Sequence, residues 1–281
     1  MDMKALQATF TSAGLARLAK DIPYIAQPSI RLTTAPGDEA KIAVGASKFG
    51  GQPDLPAGVQ WPTWQNLPQS FIAQIQLADV HPFDEGHLLP ESGMLWFFYD
   101  AQQQTFGEQP ADRGGWSVLF QQAERLQRTP FPKDLPAESR FKACTATFAS
   151  EVTLAQDPRL EIPHYDWSDA EQKQYEQLLS TFPNSADRAA SHNRLLGFPD
   201  TIQDDMRSQC QLVSHGVTDD NDPRAGDLLK DVHEWQLLFQ VDSDGHAGMR
   251  WSSNGMLYYW IQRSDLQAHR FDQTWLVLQA E

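Results

Sequence analysis

Cysteine is scarce in this chain, and basic residues are outnumbered. The 281 residues include two cysteines, Cys144 and Cys210, with no Cys-x-x-Cys spacing, so a structural zinc site built on thiolates is not expected. Both stand in polar local sequence; reduced thiols in a cytoplasmic protein are the simpler expectation, with one disulfide left open. Lysine and arginine number 22 against 37 acids, a formal charge of −15. That balance opposes nonspecific binding to nucleic acid or anionic membranes and suits a basic protein as partner. No run approaches the ~18 apolar residues of a membrane span. The opening "MDMKALQATFTSAGLARLAK" lacks the continuous apolar segment of a secretory signal.

Catalytic signatures are missing too. There is no Gly-x-Ser-x-Gly elbow, no P-loop and no dinucleotide fingerprint. Neither cysteine has a histidine close by in sequence, although Cys210 could meet His192 or His215 across the fold. His81, His87 and His164 lie apart, without metal-ligand spacing.

What is present is aromatic. Nine tryptophans and fifteen phenylalanines are more than a disordered chain carries. In the opening segment Met3, Leu6, Phe10, Leu15 and Leu18 give a helix with one buried stripe. Farther on, four blocks recur in order. "GGQPDLPAG" (50–58) parallels "LGFPDTIQD" (196–204), and "FIAQIQLAD" (71–79) parallels "LLFQVDSDG" (237–245), with Gln74 on Gln240. "SGMLWFFYD" (92–100) parallels "NGMLYYWIQ" (254–262), and "WSVLFQ" (116–121) resembles "WLVLQ" (275–279). The second pair alternates as half-buried strands do; "MLWFFY" and "MLYYWI" suit strands covered on both faces.

Between the copies, "WSDAEQKQYEQLLSTFP" reads as a helix with Ser168 and Glu171 forming a capping box and Pro183 ending it. The expected fold class is mainly β to α+β: two related antiparallel β units from an internal duplication, with peripheral helices. Residues 1–25 form an amphipathic helix, 40–121 the first β unit, 122–190 a connecting region with a helix at 168–182, and 191–281 the second unit. Whether these make one continuous globular domain stays open. A duplicated chain can fill alone a role that two identical subunits fill elsewhere, so a monomer is expected.

The segment "KFGGQPDLPAGVQWPTW" (48–64) is punctuated by prolines that fix φ and glycines that free it. Trp61 and Trp64 are read as caps on a sheet's core, with a ligand- or partner-facing wall as the alternative. Asp54 and Asp200 are expected to fix equivalent turns. The segments "FGGQPDLPAGVQWPTW", "SFIAQIQLADV", "SGMLWFFYD", "NRLLGFPDTIQDDMRSQCQL", "LLFQVDSDGHAGMRWSSNGMLYYWIQRSDL" and "FDQTWLVLQ" together resemble the YwqG-like family of bacterial proteins, a domain of unknown function, over about residues 40–280. The resemblance implies a largely β fold and an immunity-like or interaction role; it carries no catalytic or binding residue onto this chain.

The densest candidate for chemistry is "QVDSDGHAGMRW". Asp242 and Asp244 alternate at a strand end and His246 follows Gly245, a set that could hold a divalent metal or act as an acid–base pair. A tight turn is the simpler reading. "TDDNDP" (218–223) lacks the glycine and the twelfth-position glutamate of a calcium loop. Asp219, Asp220 and Asp222 are expected instead to be exposed acids available to a basic partner. The leading expectation is a non-enzymatic protein- or ligand-binding module that needs no cofactor. The alternative is a divalent-metal-assisted hydrolase or lyase using Asp242, Asp244 and His246.

Overall fold

In "AQPSIRLTTAP" the buried Ile30 and Leu32 flank the less buried Arg31, the period-2 signature of a strand. This strand, β1 (Ala26–Pro36), pairs antiparallel with β10 (Cys144–Leu154) along the whole length of both. The pair forms the middle of the protein, which is seen in a computed structural model describing residues 3–122, 124–182, 191–219 and 221–281. Both strands lie outside the two segments carrying the repeated sequence blocks.

On one side of the pair stand β11 (Asn193–Leu195), β12 (Trp235–Asp242), β13 (Met256–Gln262) and β14 (Trp275–Gln279). On the other stand β2 (Lys48–Phe49), β6 (Ser70–Gln76), β7 (Met94–Tyr99) and β8 (Trp116–Gln121). The ten-stranded order is β14-β13-β12-β11-β1-β10-β2-β6-β7-β8. Two further pairs, β3 (Asp54–Pro56) with β9 (Leu126–Arg128) and β4 (Thr63–Trp64) with β5 (Leu67–Pro68), are separate ribbons.

The large sheet curls until it nearly closes. Its edge strands meet through indoles: Trp116 Nε1 donates to Thr274 O at 3.0 Å and Trp275 Nε1 to Gly107 O at 3.0 Å. The two rings stack edge-on with centroids 5.0 Å apart. Across the interior, Phe97 lies 4.5 Å from Phe239 and 5.2 Å from Tyr259. Each such side chain contributes about 1.5–3 kcal/mol when it leaves water, so this inner layer dominates the fold's stability.

Strand β7 shows why "MLWFFY" has no polar residue. Leu95, Phe97 and Tyr99 belong to the inner core. Met94, Trp96 and Phe98 face a second cluster with Leu55 and Phe71, against which Trp61 packs. A third cluster joins the chain's first segment to its centre. Leu6 and Phe10, on the helix Met3–Ser12, and Leu15 and Leu18 beyond it pack with Trp167, Tyr175 and Phe182. Tyr175 lies on the helix Asp169–Thr181, where Ser168 and Glu171 exchange the two hydrogen bonds of a capping box. Arg17 Nε reaches Glu171 Oε1 at 2.6 Å and ties the two helical segments together. The structure is thus a mixed fold, one large antiparallel sheet with peripheral helices.

Candidate functional site

Two turns position the most unusual chemistry in the protein. Leaving β2 and β11, the chain turns through consecutive left-handed residues: Gly50 (φ 57°) and Gly51 (φ 68°), then Leu196 (φ 62°) and Gly197 (φ 76°). Glycine is required at the later position of each. A Cβ on Gly51 would lie 2.1 Å from Glu39 Oε2, and one on Gly197 would lie 2.6 Å from Thr153 Oγ1. A proline and an aspartate follow, Asp54 in one turn and Asp200 in the other.

Each aspartate is locked by a buried glutamine. Asp54 N donates to Gln74 Oε1 at 2.7 Å, and Gln74 Nε2 donates back to Asp54 Oδ2 at 2.8 Å and to Ala46 O at 2.8 Å. Asp200 N donates to Gln240 Oε1 at 2.8 Å, while Gln240 Nε2 donates to Asp200 Oδ2 at 3.0 Å and to His192 O at 2.7 Å. A neighbouring ring closes each turn from above: Trp96 Nε1 donates to Asp54 O, and Tyr258 Oη to Asp200 O. Ser47 Oγ accepts from Gln76 N as Asn193 Oδ1 accepts from Asp242 N, both at 2.9 Å.

Beneath each turn lies a cation with no exposed surface, Lys48 or Arg194. Lys48 Nζ pairs with Glu39 Oε1 at 2.7 Å and donates to Gln52 O. Arg194 pairs with Glu151 Oε1 at 3.0 Å and Asp200 Oδ2 at 2.7 Å, and its Nη1 donates to Phe198 O. Buried charges persist only when paired in this way. Burial pushes Lys48 below the usual lysine range, against the pull of Glu39.

The two sites differ in how their acids are met. At the first, Arg128 Nε donates to Asp54 Oδ1 at 2.7 Å, and its other nitrogens donate to Glu39 O and Ile42 O. Burial alone would raise Asp54, but Arg128, the Gly45 amide and Gln74 outweigh it and hold the carboxyl below its ordinary range. At the second, burial is again the largest influence on Asp200. The charge of Arg194 and the bonds from His192 and Gln240 overcome it and hold the group well below the ordinary range. Asp242 stands where the first site has Gln76 and goes the other way. Burial raises it, only partly offset by the amides of His192 and Ser243.

Asp200, His192 and Asp242 reach an open depression together with Glu176, Ser191 and Glu281. Among the described residues lining it there is no lysine or arginine, and His192 is the only non-acidic ionisable group. His192 Nδ1 lies 3.0 Å from Asp200 Oδ2.

Of the residues singled out from sequence, Asp242 lines this depression, whereas Asp244 and His246 do not. Strand β12 ends at Asp242. Asp244 then pairs its backbone with Met249 in both directions, which sends its side chain elsewhere. Its carboxylate is buried, accepting from Thr34 Oγ1 and the His246 amide. His246 is exposed, with Nδ1 3.8 Å from Asp244 Oδ1. Among the described residues no three His, Cys, Asp or Glu side chains are grouped to hold a metal.

Trp61 donates to Gln69 O and packs on Phe98 and Phe131, while Trp64 lies against Gly114. Asp219 accepts from the Asn221 amide, and Asp222 is held by Arg224 through its amide and guanidinium. Asp220 lies outside the described residues. Cys144 and Cys210 are free and buried in the inner core, not in the polar surroundings their sequence neighbours imply. Burial lifts the Cys144 thiol to about 11 and Cys210 well above its usual value, so neither is set up as a nucleophile.

The buried cations and their glutamate partners escape sequence reading, because Lys48 and Arg194 resemble ordinary surface charges there. The signal that could have found them is their shared place before each Gly-x-Pro-Asp. No described helix is long and apolar enough to cross a membrane. No curated protein matches the chain. Residues 47–280 match the family model described as domain of unknown function DUF1963, and the chain belongs to that family, the YwqG-like proteins.

Proposed function

We propose that the protein is a non-enzymatic binding module whose acidic depression takes a cationic group from a basic partner. The observation that carries this reading is the lining of the depression. Glu176, Asp200, Asp242 and Glu281 face it without a lysine or arginine among the described residues, and Asp242 is held above its usual range by burial. A carboxylate in that condition gains from an incoming positive charge. The net charge of −15 steers such a partner toward the surface.

The same reading takes the two turns as copies within one duplicated unit. Supporting it are the matching bonds of Gln74 with Asp54 and Gln240 with Asp200, and a strand order that runs outward alike from β1 and β10. One copy has kept a neutral Gln76, and the other carries Asp242. A cytoplasmic monomer is the setting we propose, in keeping with two free cysteines.

Fluorescence anisotropy with a labelled lysine- and arginine-rich peptide tests the reading, with a glutamate-rich peptide as control. The basic peptide should bind, more weakly as ionic strength rises from ~50 mM to ~300 mM, and the acidic one should not. Equal binding of both peptides, or of neither, would remove the proposal.

A further inference from the structure

We infer that the group received at Asp200 is a guanidinium, the side chain of an arginine on the basic partner. This rests on the cation-binding reading above and narrows it.

Two corresponding carboxylates differ in how their oxygens are met. Asp54 Oδ2 and Asp200 Oδ2 correspond because each accepts from the amide of its locking glutamine. The other oxygen of Asp54, Oδ1, takes Arg128 Nε at 2.7 Å. That guanidinium then spreads over two carbonyls, with Nη1 2.6 Å from Glu39 O and Nη2 2.9 Å from Ile42 O. Asp200 Oδ1 has no hydrogen-bond donor among the described residues; Gln240, His192 and Arg194 all address Oδ2. Asp54 has no exposed side-chain surface, whereas Asp200 is 16% exposed and lies in the wall of the depression. Among the described residues the chain thus carries its own guanidinium on one of these carboxylates and places no donor on the matching oxygen of the other; the nearby Arg31 donates to Ser191 O instead.

Arg194 does not stand in for Arg128. It occupies the place of Lys48: each leaves the short strand before its turn, reaches a glutamate, and donates to the carbonyl before the proline, Gln52 O or Phe198 O. Asp242 adds a second carboxylate to the same depression. A planar fork of five N–H donors can address two acceptors at once, which an ammonium point charge does less well. The preference should therefore run arginine over lysine.

The test is an NMR titration of the ¹⁵N-labelled full chain with three blocked Gly-X-Gly tripeptides at one ionic strength, X being arginine, lysine or citrulline. Citrulline keeps the shape of arginine without its charge. The expected result is ~10-fold tighter binding of the arginine peptide than the lysine peptide, and none of the citrulline peptide. Glu176→Gln with Asp242→Asn, chosen because Asp200 also holds the buried Arg194, should reduce the arginine preference. Equal binding of arginine and lysine would overturn the guanidinium assignment and leave the cation reading standing. No binding of either would overturn both. An arginine preference unchanged in the double variant would overturn the placement at this depression.

Discussion

Gln240 and Asp200 hold each other by reciprocal hydrogen bonds, the aspartate amide donating to the glutamine carbonyl and the glutamine amide donating to the carboxylate. Gln74 and Asp54 do the same on the opposite side of the sheet's centre. A residue on a strand is thereby clamped to each turn; Asp54 also opens β3, whereas Asp200 lies outside any strand or helix. Truncating Gln240 to alanine strands the buried Asp200 amide and removes one of the donors to its carboxylate, at a cost of about 2–4 kcal/mol. Urea unfolding of Gln240→Ala and Gln74→Ala should show losses of that size, and a loss near zero would mean that water replaces the clamp.

Gly107 separates backbone strain from steric contact. It has φ +77°, and a Cβ there would lie 1.9 Å from Leu276 O, on the seam where the sheet's edges meet. Gly58 has φ +88° with nothing within 4 Å of the added carbon. Gly58→Ala should cost about 1 kcal/mol, from the left-handed backbone alone. Gly107→Ala should lower the melting temperature by clearly more, because the carbonyl it strikes is strand backbone.

The acids respond to pH in opposite directions. Asp54 and Asp200 are lowered on folding, so their contribution is present above about pH 3.9, the ordinary aspartate value, and is lost as pH falls through their lowered values. Asp242 is raised, so its contribution is present below about pH 3.9 and is lost as pH rises through its folded value. Urea midpoints across the acid range should therefore lose a component that falls with rising pH in Asp242→Asn. An unchanged pH profile would contradict the burial of that carboxylate.

Thiol labelling checks the core directly. Cys144 and Cys210 are buried, and both thiols are raised by burial. A thiol reagent at neutral pH should modify them only as fast as the chain unfolds. Rapid labelling of the native protein would place one of them at the surface.

Local pattern carries much of the fold into view: strand β6, the apolar run of β7 and the Ser168–Glu171 box are written in neighbouring residues, although β6 is buried on both faces and not half-buried as its alternation implies. The central pair is different. Pro28 weakens the strand signal of β1, and its partner Cys144–Leu154 lies more than a hundred positions away, so nothing local announces the pairing. The site was half visible for the same reason. Gln74 aligned with Gln240 and the two Pro-Asp turns with each other, yet the charges beneath them are satisfied by Glu39 and Glu151 from other strands and loops. The spacing of Asp242 and Asp244 points both side chains one way only if the strand continues. It stops at Asp242, and the bridge from Asp244 to Met249 redirects the chain.

The measurement that bears most directly on the account compares a basic peptide's affinity for three forms of the chain. These are the unaltered protein, Glu176→Gln with Asp242→Asn in the depression, and Asp219→Asn with Asp222→Asn in the exposed acidic loop. Removing the two depression carboxylates should weaken binding ~10-fold or more, while the loop variant stays within ~2-fold of the original, as expected for exposed charges away from the contact. The reverse order, with the loop decisive and the depression indifferent, would contradict the account.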